Sequence, residues 1–149
     1  FGGGVGLISC CDIALASENS IFSLSEVKVG LIPATISPYV INAIGARNAR
    51  RLFTSGERFD SNIAKQINLV HEIAKEEDLE KRISYFINHF KQNGPQAVVA
   101  AKKIILDIFN KEIDDSVISH TCEVISALRT SKEGKEGVTA FLEKRNPNW

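Results

Sequence analysis

Methionine is absent from the chain, tryptophan occurs once, tyrosine twice and proline four times. A natural protein rarely begins inside an apolar glycine turn, so a start at Phe1 with no methionine anywhere reads as the back part of something longer, any targeting signal lying upstream. Cysteine is scarce and poorly placed for cross-linking. Cys10 and Cys11 are neighbours and Cys122 stands alone, an odd number without the spacing of a zinc or redox motif. Reduced thiols in a cytoplasmic protein are the expectation. His71, His89 and His120 have no Cys or carboxylate pattern beside them, which points to ordinary core or surface histidines and to no metal site. No apolar run approaches the roughly 20 residues of a membrane span. An excess of one charge is also missing: 18 Lys and Arg balance 18 Asp and Glu, so no bulk pull toward nucleic acid or anionic lipid is expected.

What is present is the composition of a globular domain, 44% hydrophobic and 24% charged over 149 residues. A chain of that size can hide about 68–70% of its unfolded surface. Its most informative segment is the opening, where Phe1 precedes Gly2-Gly3-Gly4 and an apolar stretch over 5–11 follows. Without a Cβ the backbone can approach a ligand closely, and a helix starting here leaves its first N–H groups free for an oxygen that gains negative charge. A tight turn that only packs a strand on a helix uses the same residues. Glu26 follows 20 residues after Gly6, in Leu24-Ser25-Glu26-Val27, and its apolar neighbours suit a carboxylate that moves a proton. The competing reading is a surface glutamate at a strand end.

Two short apolar segments, 12–16 and 20–24, read as strands joined by Ser17-Glu18-Asn19. Ser37-Pro38 reads as an N-cap with proline in the first turn of a helix of about two turns closed by Gly45; a second short helix fits 47–54, and Asp60-Ser61 caps a third running through Asn68. Residues 69–73 suit a short strand or extended connector. From Glu76 onward the apolar period becomes helical. Leu79, Ile83, Phe86, Ile87 and Phe90 share one face, and Gly94-Pro95 ends that helix. Ala97, Ala101, Ile104, Ile105 and Ile108 make a second stripe, Val117, Ile118, Thr121, Ile125 and Leu128 a third, and Val138, Phe141 and Leu142 mark a fourth after Gly134 and Gly137. The chain thus divides into a mixed α/β front, 1–75, and a helical tail, 76–149.

Gly2-Gly3-Gly4, Cys11-Asp12-Ile13-Ala14-Leu15-Ala16, Ser25-Glu26, Gly30-Leu31-Ile32-Pro33, Thr54-Ser55-Gly56-Glu57-Arg58 and Ala140-Phe141-Leu142-Glu143-Lys144-Arg145 occur in that order along the whole chain. Together they resemble the crotonase, or enoyl-CoA hydratase/isomerase, superfamily. Phe1-Gly2-Gly3-Gly4-Val5-Gly6-Leu7, Leu24-Ser25-Glu26-Val27 and Ile36-Ser37-Pro38-Tyr39-Val40 look most similar to methylglutaconyl-CoA hydratase-like members. The resemblance implies an α/β fold: the second half of a ββα spiral core, over 1–75, followed by a C-terminal helical oligomerisation region, over 76–149. Further ββα turns, another oxyanion-hole amide and part of the coenzyme A pocket would lie before Phe1.

By the same resemblance Gly3 carries an N–H that binds the thioester oxygen, Gly2 shares the substrate-binding turn, and Glu26 is the acid/base. Phe141 and Lys144 correspond to an aromatic ring and a lysine that close over the adenine and phosphate end of coenzyme A; ordinary core and ordinary surface charge are the alternatives for these two. The partners implied are an acyl-CoA substrate and identical subunits in a homotrimer or dimer of trimers, with no cofactor beyond the coenzyme A of the substrate and no membrane. Fatty acid metabolism and leucine degradation are the implied settings. Two positions depart from the family pattern. Gly6 stands where two-glutamate hydratases have their other carboxylate, which raises a 3,2-enoyl-CoA isomerase using Glu26 alone as the alternative to hydration. Pro33-Ala34-Thr35-Ile36 replaces a glycine-rich stretch of many relatives. Two readings of other classes remain, an RNA-binding protein, against which the zero net charge and the lack of interleaved aromatic and basic residues argue, and a non-catalytic assembly fragment.

Overall fold

Glycines and short β-branched segments at the front give small elements, and the long amphipathic stripes of the tail give helices. The computed structural model describes residues 1–149 and separates into two units, Phe1–Ser84 and Tyr85–Trp149.

The first unit begins with helix α1 (Gly3–Ser9), then strands β1 (Leu15–Ser17) and β2 (Ile21–Ser23) and a 3-10 turn, Glu26–Val29. Helix α2 (Ser37–Ser55), strand β3 (Arg58–Asp60), helix α3 (Ser61–Gln66) and strand β4 (Glu72–Ala74) complete it, with the start of α4 (Leu79–Gln92). Both expected strands form, but β1 starts at Leu15 rather than Asp12 and takes in Ser17 of the expected turn, and the two do not pair with each other. β1 runs parallel to β4 with Ala16 opposite Ile73, and β2 runs antiparallel to β3 with Phe22 opposite Phe59. The reason is burial: Phe22 and Phe59 stack with ring centroids 5.6 Å apart, a contact that a β1–β2 hairpin would forfeit. β3 has no periodic signal because it is three residues long.

The core of this unit gathers one or two side chains from each element. Val5 of α1, Leu24 after β2, Val40 and Leu52 of α2 and Ala64 of α3 are all at most 1% exposed. Each fully buried Val or Leu contributes about 1.5–3 kcal/mol of transfer free energy. The expected break at Gly45 is a kink (φ 76°, ψ 154°) inside the single run α2 rather than the end of one helix. Ser37 is not the N-cap. It is the first helical residue, its hydroxyl donates to Ala34 O at 2.8 Å, and Ile36 takes the capping position. Asp60 does cap α3, accepting the Ile63 N–H at 2.9 Å. That helix stops at Gln66 rather than Asn68, whose φ of 66° leaves the helical region.

The second unit consists of the end of α4, α5 (Pro95–Ile108), α6 (Asp115–Thr130) and α7 (Lys132–Leu142). Gly134 and Gly137 lie inside α7 rather than before it. At Gly134 a Cβ would overlap Leu128 O and come within 3.0 Å of Leu128 C, and at Gly137 it would come within 3.2 Å of the Trp149 ring. Close packing therefore overrides the low helix propensity of glycine. Glu133 of α7 reaches the start of α5 and accepts the Gln96 and Ala97 N–H groups at 3.0 and 2.8 Å. No residue of α4, α5 or α6 is buried, and Ile113, Leu106, Val99 and Phe141 are 69–83% exposed.

Candidate active site

The opening turn is shaped by where its amide protons go. Gly2 (φ 52°) donates to Ser23 O of β2 at 3.0 Å, Gly4 donates to Phe1 O at 3.0 Å, and Val5 and Gly6 donate to Gly2 O at 2.9 and 3.4 Å. The Gly3 N–H has no acceptor in the chain. Of the glycines at the front it is therefore Gly3 that offers a donor, while the Gly2 N–H is already committed to β2 and contributes shape only.

Glu26 enters three residues after β2 as the first residue of the 3-10 turn. Gly30, left-handed at φ 77°, closes that turn, and the Leu31 N–H donates to Glu26 O at 3.1 Å. The carboxylate lies back over the opening turn: a Cβ on Gly2 would stand 3.1 Å from Glu26 Oε1. The other oxygen, Oε2, is buried without a hydrogen-bond partner. A buried, unpartnered carboxylate oxygen is costly, since desolvation is not repaid, and such groups are rare outside functional sites. Gly3 and Glu26 line one cleft of about 230 Å³ with residues 32–36. An N–H donor and a carboxylate facing a common space can stabilise charge on a carbonyl oxygen and move a proton near it.

The segment 32–36 carries a feature that the sequence did not disclose. Gly6 is buried, and its hollow holds the side chain of Ile36. A Cβ on Gly6 would overlap Ile36 Cγ2 and lie 2.7 Å from Ile36 Cβ. The one signal available was the coincidence of a glycine at 6 and a β-branched residue at 36 in segments that both depart from the family pattern.

The remaining sequence-selected residues lie elsewhere. Phe141, 81% exposed, and Lys144 sit at the end of α7 in the second unit, so Phe141 is not core within this chain. Lys144 occupies a left-handed position (φ 53°) and its N–H donates to Phe141 O at 3.2 Å, while the Arg145 N–H returns to Ala140 O at 3.0 Å, a helix-ending arrangement that holds 141 and 144 at one helix tip. His71 Nδ1 accepts the Ala14 N–H at 3.0 Å, His89 Nδ1 lies 2.8 Å from Tyr85 O, and His120 Nε2 lies 3.1 Å from Asp107 Oδ2. Each histidine is thus engaged locally. Cys10, Cys11 and Cys122 are free and exposed, and no helix is long and apolar enough to cross a membrane.

Comparison with known proteins bears on the family and the fold. The enoyl-CoA hydratase/isomerase family matches over residues 1–149. Among solved structures, an enoyl-CoA hydratase from Shewanella pealeana superposes with a TM-score of 0.94 at 46% identity, over 100% of this chain and 56% of that one. Among curated proteins, enoyl-CoA hydratase ACTT6 of Alternaria alternata is 31% identical over 100% of this chain and 50% of its own length. The 1,4-dihydroxy-2-naphthoyl-CoA synthase of Mycolicibacterium smegmatis is 32% identical over 99% of this chain and 48% of its own. The chain therefore spans about half the length of the curated relatives it matches. The mixed α/β fold, with its helical tail, is that of part of a crotonase domain. By its match from Phe1 to Trp149 and its agreement with solved relatives, the chain belongs to the enoyl-CoA hydratase/isomerase family.

Proposed function

We propose that this chain supplies an oxyanion donor and the acid/base of an enoyl-CoA hydratase, the remaining walls of the site coming from the part of the subunit that the longer relatives contain. The observation that carries the reading is that Gly3, whose N–H has no acceptor, and Glu26, whose Oε2 is buried without a partner, line one cleft. The thioester carbonyl oxygen takes the Gly3 N–H. Glu26 removes a proton from water as the water oxygen adds to C3, and the electron pair of the double bond moves toward the carbonyl to give an enolate. That charge grows at the oxygen facing Gly3, where a preset donor stabilises the transition state more than the ground state. The Glu26 carboxyl then returns its proton to C2. No cofactor takes part, coenzyme A entering only as the carrier of the acyl group.

The finer form of the reading is hydration of a methylglutaconyl-type acyl group, supported by the likeness of residues 1–7, 24–27 and 36–40 to such members. A second reading is favoured by one observation: position 6 has no side chain and its hollow is filled by Ile36, so Glu26 is the one carboxylate that this chain places in the cleft. A 3,2-enoyl-CoA isomerase needs only one, taking a proton from C2 and returning it to C4. In the assembled oligomer, Phe141 and Lys144 at the end of α7 stack on and neutralise the coenzyme A nucleotide of a substrate held by a neighbouring subunit. The subunits form a homotrimer or a dimer of trimers, consistent with the apolar faces left open on α5 and α6.

The test is Glu26→Gln in the complete subunit, assayed with methylglutaconyl-CoA and with a 3-enoyl-CoA. Turnover should fall by about 10²–10⁴-fold, the usual size of a positioned acid/base contribution. The substrate that wild type consumes faster decides hydration against isomerisation. Wild-type turnover in the variant overturns the role of Glu26.

A further inference from the structure

One residue lining the cleft, Ile36, depends on a glycine behind it, Gly6. Gly6 is buried in α1 and has no Cβ; Ile36, at the N-cap of α2, drops its Cγ2 into the space that a Cβ would fill. Ile36 is only partly buried, and packs on the core while lining the cleft with Gly3 and Glu26. It therefore has one side against a fixed support and the other against whatever occupies the cleft. A β-branched side chain held in this way has little rotamer freedom, so its outer surface is a fixed boundary. Of the two bulky apolar side chains lining the cleft, Ile32 is 72% exposed, which leaves Ile36 as the one whose position the fold sets most directly.

We infer that Ile36, seated on Gly6, is a specificity-determining residue: it limits the length and branching of the acyl group that can lie beside Glu26. The inference rests on the reading of the cleft as an enoyl-CoA site. It makes Gly6 a support for Ile36 and gives the two positions a joint effect that neither has alone.

The experiment uses the complete subunit and a series of straight-chain 2-enoyl-CoA thioesters from four to ten carbons, with kcat/KM measured for each. Ile36→Ala should raise the long-to-short ratio by at least about tenfold, since one methylene in an apolar pocket is commonly worth 10–200-fold in discrimination. Ile36→Val should move the ratio the same way by less, and keeps the test informative where the alanine variant does not fold. Gly6→Ala forces Ile36 out of its hollow and should lower kcat/KM for every member, and the double variant Gly6→Ala, Ile36→Ala should recover most of that loss. A residue that only supports the fold would lower all members equally and leave the ratio alone. An unchanged ratio in both Ile36 variants, or a Gly6→Ala protein equal to wild type, overturns the inference. Absence of wild-type turnover with every acyl-CoA overturns the underlying reading of the site instead.

Discussion

Gly2 shows how much can rest on a missing side chain. Its φ of 52° and the approach of Glu26 Oε1, which would stand 3.1 Å from any Cβ, make the position intolerant on two independent grounds. Gly2→Ala should therefore displace the carboxylate and strain the turn. In the complete subunit we expect about 10²-fold lower kcat/KM, the cost of a displacement of roughly 1 Å at a reacting group, with a stability loss of about 1–2 kcal/mol seen by chemical denaturation. A variant with full activity would show that the carboxylate position does not depend on this contact. Gly2, Gly3 and Glu26 stand out in the sequence because a glycine run before an apolar stretch and an isolated carboxylate after one are local patterns, while the roles proposed for them come from the resemblance. The assignment of the free donor to Gly3 was legible only by resemblance. Which N–H stays unpaired depends on Ser23 O, 21 residues away in the chain, and no spacing rule reveals it.

Among the elements, the tail was the easiest to read and the strands the hardest. The stripes of α4, α5 and α6 place their helices within a few residues, since an amphipathic period and the break at Gly94-Pro95 are properties of the segment itself. The partners of β1 and β2 are properties of distant segments: Leu15 meets Glu72 and Ile21 meets Asp60, so a local reading gives the strands and not the sheets. The C-terminal segment is fixed by a carboxylate. Arg145 makes two hydrogen bonds to Glu136, at 2.7 and 3.1 Å, the Asn148 N–H adds one at 2.8 Å, and Trp149 Nε1 donates to Gln92 O at 3.3 Å. The Arg145 guanidinium, helped by the Asn148 amide, lowers the Glu136 pKa from 4.5 to about 2. A depressed carboxylate stabilises the folded arrangement in full above its ordinary pKa, and that contribution disappears as pH falls through the folded value. Between pH 4.5 and about 2 the C-terminal segment should loosen, read as a change in the fluorescence of Trp149, the only tryptophan of these 149 residues. Glu136→Gln should remove most of that transition, and a variant with the wild-type profile would show that other groups hold the segment.

For the whole molecule the contrast between the two units matters most. The first has a core with several side chains at or below 1% exposure; in the second, only Ala140 of α7 is buried among α5, α6 and α7. Apolar side chains left exposed on several helices suit an association surface, and the proposed assembly predicts that the complete subunit sediments as a trimer or hexamer. A monomer at micromolar concentration would contradict the proposed assembly. This level was the least legible in the sequence, where periodic stripes show that each helix seeks a partner without showing which helices find one inside the chain. One tie within the first unit has a reach beyond its size. Ser23, fully buried, holds the Gly2 amide through its carbonyl and Gly56 O through its hydroxyl, and Glu26 follows three residues on. The proposed proton carrier and the proposed oxyanion donor thus share a common anchor, so on this reading variation at Ile36 would retune which substrates enter while the spacing of Glu26 and Gly3 is inherited unchanged.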